Sequence, residues 1–277
     1  MAEKLKYFVN GQFRESKTDK WYDLHNPSTG ETTGQAPCCT NDEVLEAIAA
    51  AKAAYPGWSA TPAIKRAQIL YRVRELILER MDELTMSVAK ENGKVWAESE
   101  GDVLKAKEGT ELATQVPSLM MGESIMDASR GYDTVKYREP LGVFAGIVPV
   151  NFPAMIPFGW MAPTCIAAGN TLVLKAASLT PKTAMLFAQL YKDAGVPDGV
   201  INVVTCSRNE INTILEHPDV KGITFVGSTP VGLKIYEKAA ANGKRCQALC
   251  QAKNHALVME DCALERTVAG VINSAFG

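Results

Sequence analysis

The second half of the chain alternates short apolar runs with stretches in which apolar residues recur at helical spacing. The apolar runs lack a polar residue at every second position, which is typical of strands buried on both faces of a sheet. The pattern predicts strands at residues 142–150, 171–176, 200–205, 222–227, 245–250 and 255–260. It predicts helices at residues 154–168, 181–195, 208–217 and 229–243. Because strands and helices alternate with short connections, we expect an α/β fold with a doubly wound parallel sheet covered on both faces.

Two hairpins are expected before this alternation begins. Asn10-Gly11 separates two strand-like segments, and this dipeptide favours a tight hairpin turn. A second β-hairpin is predicted within residues 118–140, with its turn near Arg130-Gly131.

The first forty residues are turn-rich with strand-like patches, and helices are predicted from Thr40 to about residue 115. Thr40 and Glu43 have the spacing of a capping box, which begins the first helix. A second, longer helix is expected from Thr61-Pro62 to Gly93, because apolar residues keep helical spacing throughout. A third helix should cover about residues 99–115.

Composition and charge exclude several classes of protein. Of 277 residues, 47% are hydrophobic and 22% are charged, as in a soluble globular protein, and the net charge is −2 without a long basic run. Nothing therefore favours nucleic acid or an anionic membrane as a partner. The N-terminal residues lack the apolar core of a signal peptide, and no apolar run reaches the roughly 18 residues of a membrane span. We expect a cytoplasmic protein.

The cysteines and histidines do not predict a metal site. Seven cysteines without a CxxC pair argue against a disulfide framework and against structural zinc, and the three histidines are scattered. Most of the cysteines are expected to be small buried groups.

Four positions at the carboxyl ends of predicted strands are candidate ligand-binding residues, since ligands of doubly wound sheets bind there. They are Asn151, Lys175, Gly227-Ser228 and Cys250. Three of these have a structural alternative. Asn151 could simply stabilise a turn, Lys175 could extend to solvent at the sheet edge, and Ser228 or Thr229 could be an ordinary helix cap. A phosphate-binding P-loop is not expected, because Leu233 stands where that motif needs lysine.

Five segments in this order resemble the aldehyde dehydrogenase superfamily. They are GIVPVNFPAMIP, GNTLVLKAASLTP, PDGVINVV, GITFVGSTPVG and GKRCQALCQAKNHALVM. The first and last of these, with PSLMMGES, are most similar to the branch of CoA-acylating methylmalonate-semialdehyde dehydrogenases. The resemblance extends from about residue 7 to the last residue.

The resemblance implies a nicotinamide dinucleotide cofactor and a role for each matching residue. Asn151 matches the asparagine whose side-chain amide donates to the oxyanion of the thiohemiacetal. Lys175 matches the lysine that binds the adenosine ribose. Gly227, Ser228 and the helix after them match the pyrophosphate site.

The remaining cofactor contacts implied by the resemblance are of several kinds. Val148 and Val150 would meet the cofactor through backbone and apolar contacts, and Cys250 would line the nicotinamide pocket without covalent chemistry. Ser178, with Leu179 beside it, stands where the family usually has a glutamate that pairs with the ribose 2′-hydroxyl. Loss of that carboxylate makes NADP possible, but NAD is expected first because no arginine occupies this position to bind a 2′-phosphate.

Two further departures bear on the reaction. Leu249 stands where hydrolytic members have the glutamate that activates water, so a thiol acceptor such as coenzyme A is favoured over water. Alternatively, Leu249 is simply a core residue. Lys105 stands where the branch has an arginine for the substrate carboxylate, so the aldehyde itself is less certain.

None of the seven cysteines matches the family nucleophile, which is expected beyond the motif that VINSAFG begins. The expectation is therefore a truncated chain that lacks the nucleophile and is inactive alone. Residues 1–250 are predicted to form the dinucleotide-binding domain, with oligomerisation strands at about 1–21 and 118–140. Residues 251–277 are predicted to begin a catalytic domain.

The predicted activity of the complete enzyme is oxidation of a (methyl)malonate-semialdehyde-type aldehyde to an acyl-CoA. The small-molecule aldehyde, NAD or NADP, and coenzyme A are the expected partners, and a homodimer or homotetramer is expected. Two alternatives stay open: a hydrolytic aldehyde dehydrogenase that forms a carboxylic acid, and a non-catalytic nucleotide-binding module.

Overall fold

The structure, a computed structural model, describes residues 3–276. The strands are β1 (Tyr7–Val9), β2 (Gln12–Arg14), β3 (Trp21–His25), β4 (Thr32–Pro37), β5 (Glu123–Ser129), β6 (Tyr132–Lys136), β7 (Val143–Ile147), β8 (Thr171–Lys175), β9 (Ile201–Val204), β10 (Val220–Val226) and β11 (Arg245–Leu249). The helices are α1 (Asn41–Ala60), α2 (Ala63–Glu79), α3 (Met81–Asn92), α4 (Trp96–Ala113), α5 (Val116–Leu119), α6 (Ala162–Ala167), α7 (Lys182–Asp193), α8 (Arg208–Glu216), α9 (Thr229–Ala241) and α10 (Leu264–Phe276). A π-helical segment, Ile156–Met161, leads directly into α6.

The main sheet has seven strands among the described residues, in the order β11-β10-β7-β8-β9-β1-β2. Strands β7 to β11 are parallel, and β1 and β2 are antiparallel at one edge. Alternate side chains face opposite sides, since Leu172 and Leu174 belong to one hydrophobic cluster and Val173 to the other. The first cluster includes residues of α2, α4, α6 and α7, and the second includes residues of α1, α8 and α9. The predicted α/β fold with a doubly wound sheet is confirmed.

The strand order reverses next to β7. The chain runs outward from β7 through β8 to β9 and then returns to place β10 on the other side of β7. The registers align the carboxyl ends of these strands, because Ile147 is opposite Lys175 on β8 and opposite Phe225 on β10. The crevice at such a reversal is where doubly wound sheets bind ligands.

Both predicted hairpins form. Asn10 and Gly11 have φ of 49° and 70°, as the turn between β1 and β2 requires. This hairpin joins the edge of the main sheet, where Phe8 is opposite Val203. The oligomerisation role of about residues 1–21 and 118–140 stays a prediction. The division into domains at residues 1–250 and 251–277 also stays a prediction. Residues 1, 2 and 277 lie outside the described residues. Strands β5 and β6 form a separate sheet in which every residue is exposed.

The capping box of α1 forms, but the single helix predicted from residue 61 to 93 is wrong. Thr40 accepts from the Glu43 backbone, whereas Arg80 leaves helical geometry at φ −110° and ψ 21° and separates α2 from α3. The apolar spacing continues across Arg80 because both helices pack against α4. Local periodicity therefore does not mark the break.

The predicted strand at residues 255–260 is also wrong. This segment has no regular structure, and Leu257 is 87% exposed. A strand needs a neighbour to satisfy its backbone, and the described part of the chain provides none here. Helix α10 was not predicted, although Leu264, Val268 and Val271 have helical spacing. Among residues 3–276, every helix is too short or too polar to span a membrane.

Candidate functional site

A groove of about 640 Å³ opens at the carboxyl edge of the sheet, between α8 and α9. Ile147 ends β7, Lys175 ends β8 and Cys206 follows β9, so three adjacent strands contribute to it. It is also lined by Tyr22, Ser207, Arg208, Ile211, Asn212, Leu215, Pro230, Val231, Lys234, Ile235 and Lys238. Among the described residues that line the groove there is no aspartate or glutamate.

Lys175 contributes an ammonium group without a protein partner. Within the described residues, Lys175 Nζ makes no hydrogen bond or ion pair, although the side chain is half-buried. Burial lowers the pKa of Lys175 from its ordinary value, and the nearby Cys206 and Cys38 partly oppose this lowering. A buried cation without a partner is unfavourable, so an anionic or hydroxyl-rich ligand would stabilise this position.

The thiols near the groove are not suited to nucleophilic chemistry. All seven cysteines are free, and burial raises the pKa of Cys39 and of Cys206 to about 12. With such pKa values, these two thiols stay protonated near neutral pH. Because a thiol must ionise to act as a nucleophile, neither is suited to that role. Cys250 is the exposed member of the set within the described residues.

Asn151 lies in the loop after β7 with an exposed side chain. Within the described residues its amide makes no hydrogen bond, so the alternative in which it stabilises a turn has no support. The loop itself is held on the N-terminal side: the Val150 carbonyl accepts from Asn92 Nδ2 at 2.8 Å and from Thr180 Oγ1 at 3.3 Å. The backbone before Asn151 is thus held, while the donors of its side-chain amide remain available.

A buried ion pair holds the other side of this loop. Lys94 Nζ lies 3.0 Å from Asp102 Oδ2 and 3.8 Å from the centre of the Phe152 ring. The other carboxylate oxygen, Asp102 Oδ1, accepts from the Met155 backbone N–H at 2.7 Å. Burial raises the pKa of Asp102, and Lys94 opposes that effect. We call Lys94, Asp102, Phe152 and Met155 the loop clamp.

The turn after β10 contains the predicted residues Gly227 and Ser228. Ser228 is the N-cap residue of α9 and is exposed, yet its hydroxyl does not cap the helix. The Gly227 N–H donates to the Leu249 carbonyl at 3.1 Å. A Cβ on Gly232, in the first turn of α9, would lie 2.4 Å from Cys250 Sγ, so Cys250 contacts this turn closely.

The other predicted cofactor residues lie at the same edge but outside the groove lining. Val148 is buried in the cluster on the opposite face of the sheet from Ile147, whereas Val150 is 43% exposed. Ser178 is half-buried and Leu179 exposed in the loop after β8, which the Thr180 hydroxyl joins to the Asn151 loop. Of the predicted set, only Lys175 lines the groove itself.

Sequence reasoning missed most of the groove-lining residues and the whole loop clamp. The helices that carry Arg208 and Lys234 were predicted, but nothing in the sequence shows which face of each helix lines the groove. The ENGK segment with Asp102 eight residues after its lysine gave the only hint of the clamp. Lys105, the candidate for the substrate carboxylate, is exposed and pairs with Glu108 at 2.7 Å.

The sequence profile of the aldehyde dehydrogenase family matches residues 13–277. The chain belongs to the aldehyde dehydrogenase family. It is 46% identical over 276 residues to malonate-semialdehyde dehydrogenase 2 of Geobacillus kaustophilus, covering 100% of this chain and 57% of the relative. It is 44% identical to the acylating mitochondrial methylmalonate-semialdehyde/malonate-semialdehyde dehydrogenase of Rattus norvegicus, covering 99% of this chain and 51% of the relative.

The fold of this aldehyde dehydrogenase chain agrees with a solved structure. A Sinorhizobium meliloti protein described as a methylmalonate-semialdehyde dehydrogenase, complexed with NAD, superimposes with a TM-score of 0.96 and 35% identity over 100% of this chain and 56% of that one. The chain therefore spans about half the length of the relatives it matches.

Proposed function

We propose that this chain is the dinucleotide-binding part of an aldehyde dehydrogenase that oxidises a (methyl)malonate-semialdehyde-type aldehyde to an acyl-CoA. The observation that carries the proposal is the groove at the strand-order reversal, where the unpartnered Lys175 ammonium projects. The bound NAD of the Sinorhizobium relative supports a nicotinamide cofactor for this chain as well.

The residues present fit such a cofactor. Lys175 offers donors to ribose hydroxyls, and a ligand there would relieve the cost of a buried ammonium without a partner. Ser228 keeps a free hydroxyl at the start of a 13-residue helix, where partial positive charge favours a phosphate. The cofactor, when bound, supplies the hydride acceptor for aldehyde oxidation.

Asn151 performs the step that this chain contributes to the chemistry. Its side-chain N–H donates to the oxygen that becomes an oxyanion when a thiolate adds to the aldehyde carbon. Because the flanking residues are held by Asn92, Thr180 and the loop clamp, little reorganisation is needed as charge develops. One such donor is worth roughly 3–4 kcal/mol of transition-state stabilisation.

Leu249 supports a thiol acceptor over water. It is 41% exposed at the end of β11, where the hydrolytic members of the family have a glutamate. A leucine cannot remove a proton from water, whereas coenzyme A provides a thiol that ionises by itself.

Cofactor binding is tested by calorimetric titration of the chain with NAD and NADP. The Lys175→Met variant should bind dinucleotide roughly 10-fold or more weakly, since hydrogen bonds from a charged donor contribute about 1.5–3 kcal/mol. Lys238→Met is the matched control: this lysine lines the same groove, but its ammonium pairs with Glu216 at 2.5 Å and donates to Asn212 at 3.0 Å. Folded protein that gives no heat with either dinucleotide, or equal losses in both variants, would contradict the cofactor assignment.

The reaction is tested in a chimera that continues this chain with the corresponding remainder of the Geobacillus kaustophilus relative. With malonate semialdehyde, we expect reduced cofactor and acyl-CoA to form only when coenzyme A is present, and Asn151→Ala to lower kcat roughly 100-fold or more. Acid formation at the same rate without coenzyme A would favour the hydrolytic alternative. No turnover with any aldehyde would favour a non-catalytic module.

A further inference from the structure

The groove carries four basic side chains and no acidic one among its described lining residues: Lys175, Arg208, Lys234 and Lys238. Only Lys238 is neutralised, by Glu216 at 2.5 Å. The other three have no hydrogen-bond acceptor or ion-pair partner within residues 3–276. The groove therefore presents about three uncompensated positive charges to a ligand.

The two carboxylates of α8 do not line the groove. Glu216 is held by Lys238, and the carboxylate of Glu210 accepts from the Ser207 hydroxyl at 2.6 Å and from its backbone N–H at 3.0 Å. Glu210 thus completes a capping box and does not line the groove.

Arg208 stands in an unusual place for a basic residue. It is the first residue of α8, where the partial positive charge of the helix terminus repels a cation and attracts an anion. Its helix follows β9, and Val204 at the end of β9 is in register with Lys175. The guanidinium side chain and Lys175 therefore belong to neighbouring strand ends and line the same cavity.

The loop after Lys175 lies beside the groove without lining it, and it lacks the family carboxylate that would oppose a 2′-phosphate on the ribose. Ser178 takes that position, with a half-buried side chain. The loop itself has no arginine, but the fold brings Arg208 to the groove from the connection that follows β9. The reason for expecting NAD before NADP therefore no longer applies.

We propose that the groove takes a dinucleotide whose adenosine ribose carries a 2′-phosphate, and that Arg208, assisted by Lys234, selects NADP over NAD. The inference rests on the proposed function, because it concerns the same cofactor site. Guanidinium binds phosphate oxygens through paired N–H donors, and the groove offers this dianion no like charge to repel it.

Calorimetric titration of the whole chain with NAD, NADP, 5′-AMP and adenosine 2′,5′-bisphosphate tests the proposal. NADP and the bisphosphate should bind more tightly than their partners lacking the 2′-phosphate, by roughly 10-fold or more. Arg208→Gln should remove most of that difference while leaving NAD binding within about threefold. Arg130→Gln, on the exposed β5–β6 hairpin, changes the net charge equally and should leave all four affinities unchanged. Ser178→Glu should move the preference toward NAD.

The outcomes separate the two proposals. NAD binding as tightly as NADP, or Arg208→Gln weakening both equally, would overturn the 2′-phosphate assignment and leave the dinucleotide site intact. Absence of heat with all four ligands, from protein that unfolds cooperatively, would overturn the proposed function and this inference with it.

Discussion

The loop clamp gives the most direct test of how this fold holds Asn151. Asp102 has a completely buried side chain, and its partner Lys94 is 17% exposed on its side chain. Removing one member of such a pair leaves the other charge buried without compensation, which costs roughly 3–5 kcal/mol. We therefore expect Asp102→Leu and Lys94→Met each to lower the free energy of unfolding by that amount.

The double variant should be much less destabilised than the sum of the two. It removes both charges and leaves backbone N–H groups without the carboxylate acceptor, chiefly that of Met155, a loss of about 1–3 kcal/mol. The singles sum to roughly 6–10 kcal/mol, so the coupling energy should be at least about 3 kcal/mol. Burial raises the pKa of Asp102 even though the Lys94 ammonium is adjacent. Desolvation therefore offsets much of the attraction between the two charges, as expected for a buried pair.

Urea denaturation of the four proteins measures the coupling, and amide hydrogen exchange at Met155 reports the loop directly. The Met155 N–H should lose protection in the Asp102→Leu variant. Additive single effects, with coupling below about 0.5 kcal/mol, would refute the account of a buried, mutually dependent pair.

Two further predictions concern the support of the site. Burial raises the pKa of Glu91 to about 7, above its unfolded value, so its stabilising contribution is fully present below the unfolded pKa and is lost as pH rises through about 7. Stability should therefore fall between about pH 5 and about pH 8, and Glu91→Gln should flatten that dependence in urea titrations; an unchanged slope would contradict it. Gly109→Ala should destabilise by about 1–3 kcal/mol, because its Cβ would lie 2.1 Å from the Gly159 carbonyl oxygen. Gly101→Ala in the same helix meets nothing within 4 Å and should instead stabilise by about 0.5–1 kcal/mol in thermal unfolding; similar shifts in both would disprove the close contact.

The sequence predicted correctly those parts of the fold that depend on contacts between residues close together in the chain. The turn at Asn10-Gly11 and the capping box of Thr40 formed as expected, since both rest on contacts within a few residues. The break at Arg80 was missed because the apolar periodicity runs unchanged through both helices, which both pack against α4.

At residues 255–260 the error is of the opposite kind, because a strand was predicted where the structure has none. A short apolar run marks a segment able to form a strand, but hydrogen bonding to a neighbour decides whether it does. Leu257 and Met259 stay exposed because no described strand lies beside them.

The sequence by itself determined the α/β class and the strand ends at which Asn151, Lys175 and Ser228 stand, because burial on both faces of a sheet leaves a readable apolar pattern. Only the tertiary structure decided that β10 lies beside β7, and that α8 and α9 therefore face each other across a groove. That pairing brings Arg208 and Lys234 to the cavity of Lys175, although they are 33 and 59 positions away in the chain. Contacts over such separations depend on strand order, which no local spacing encodes.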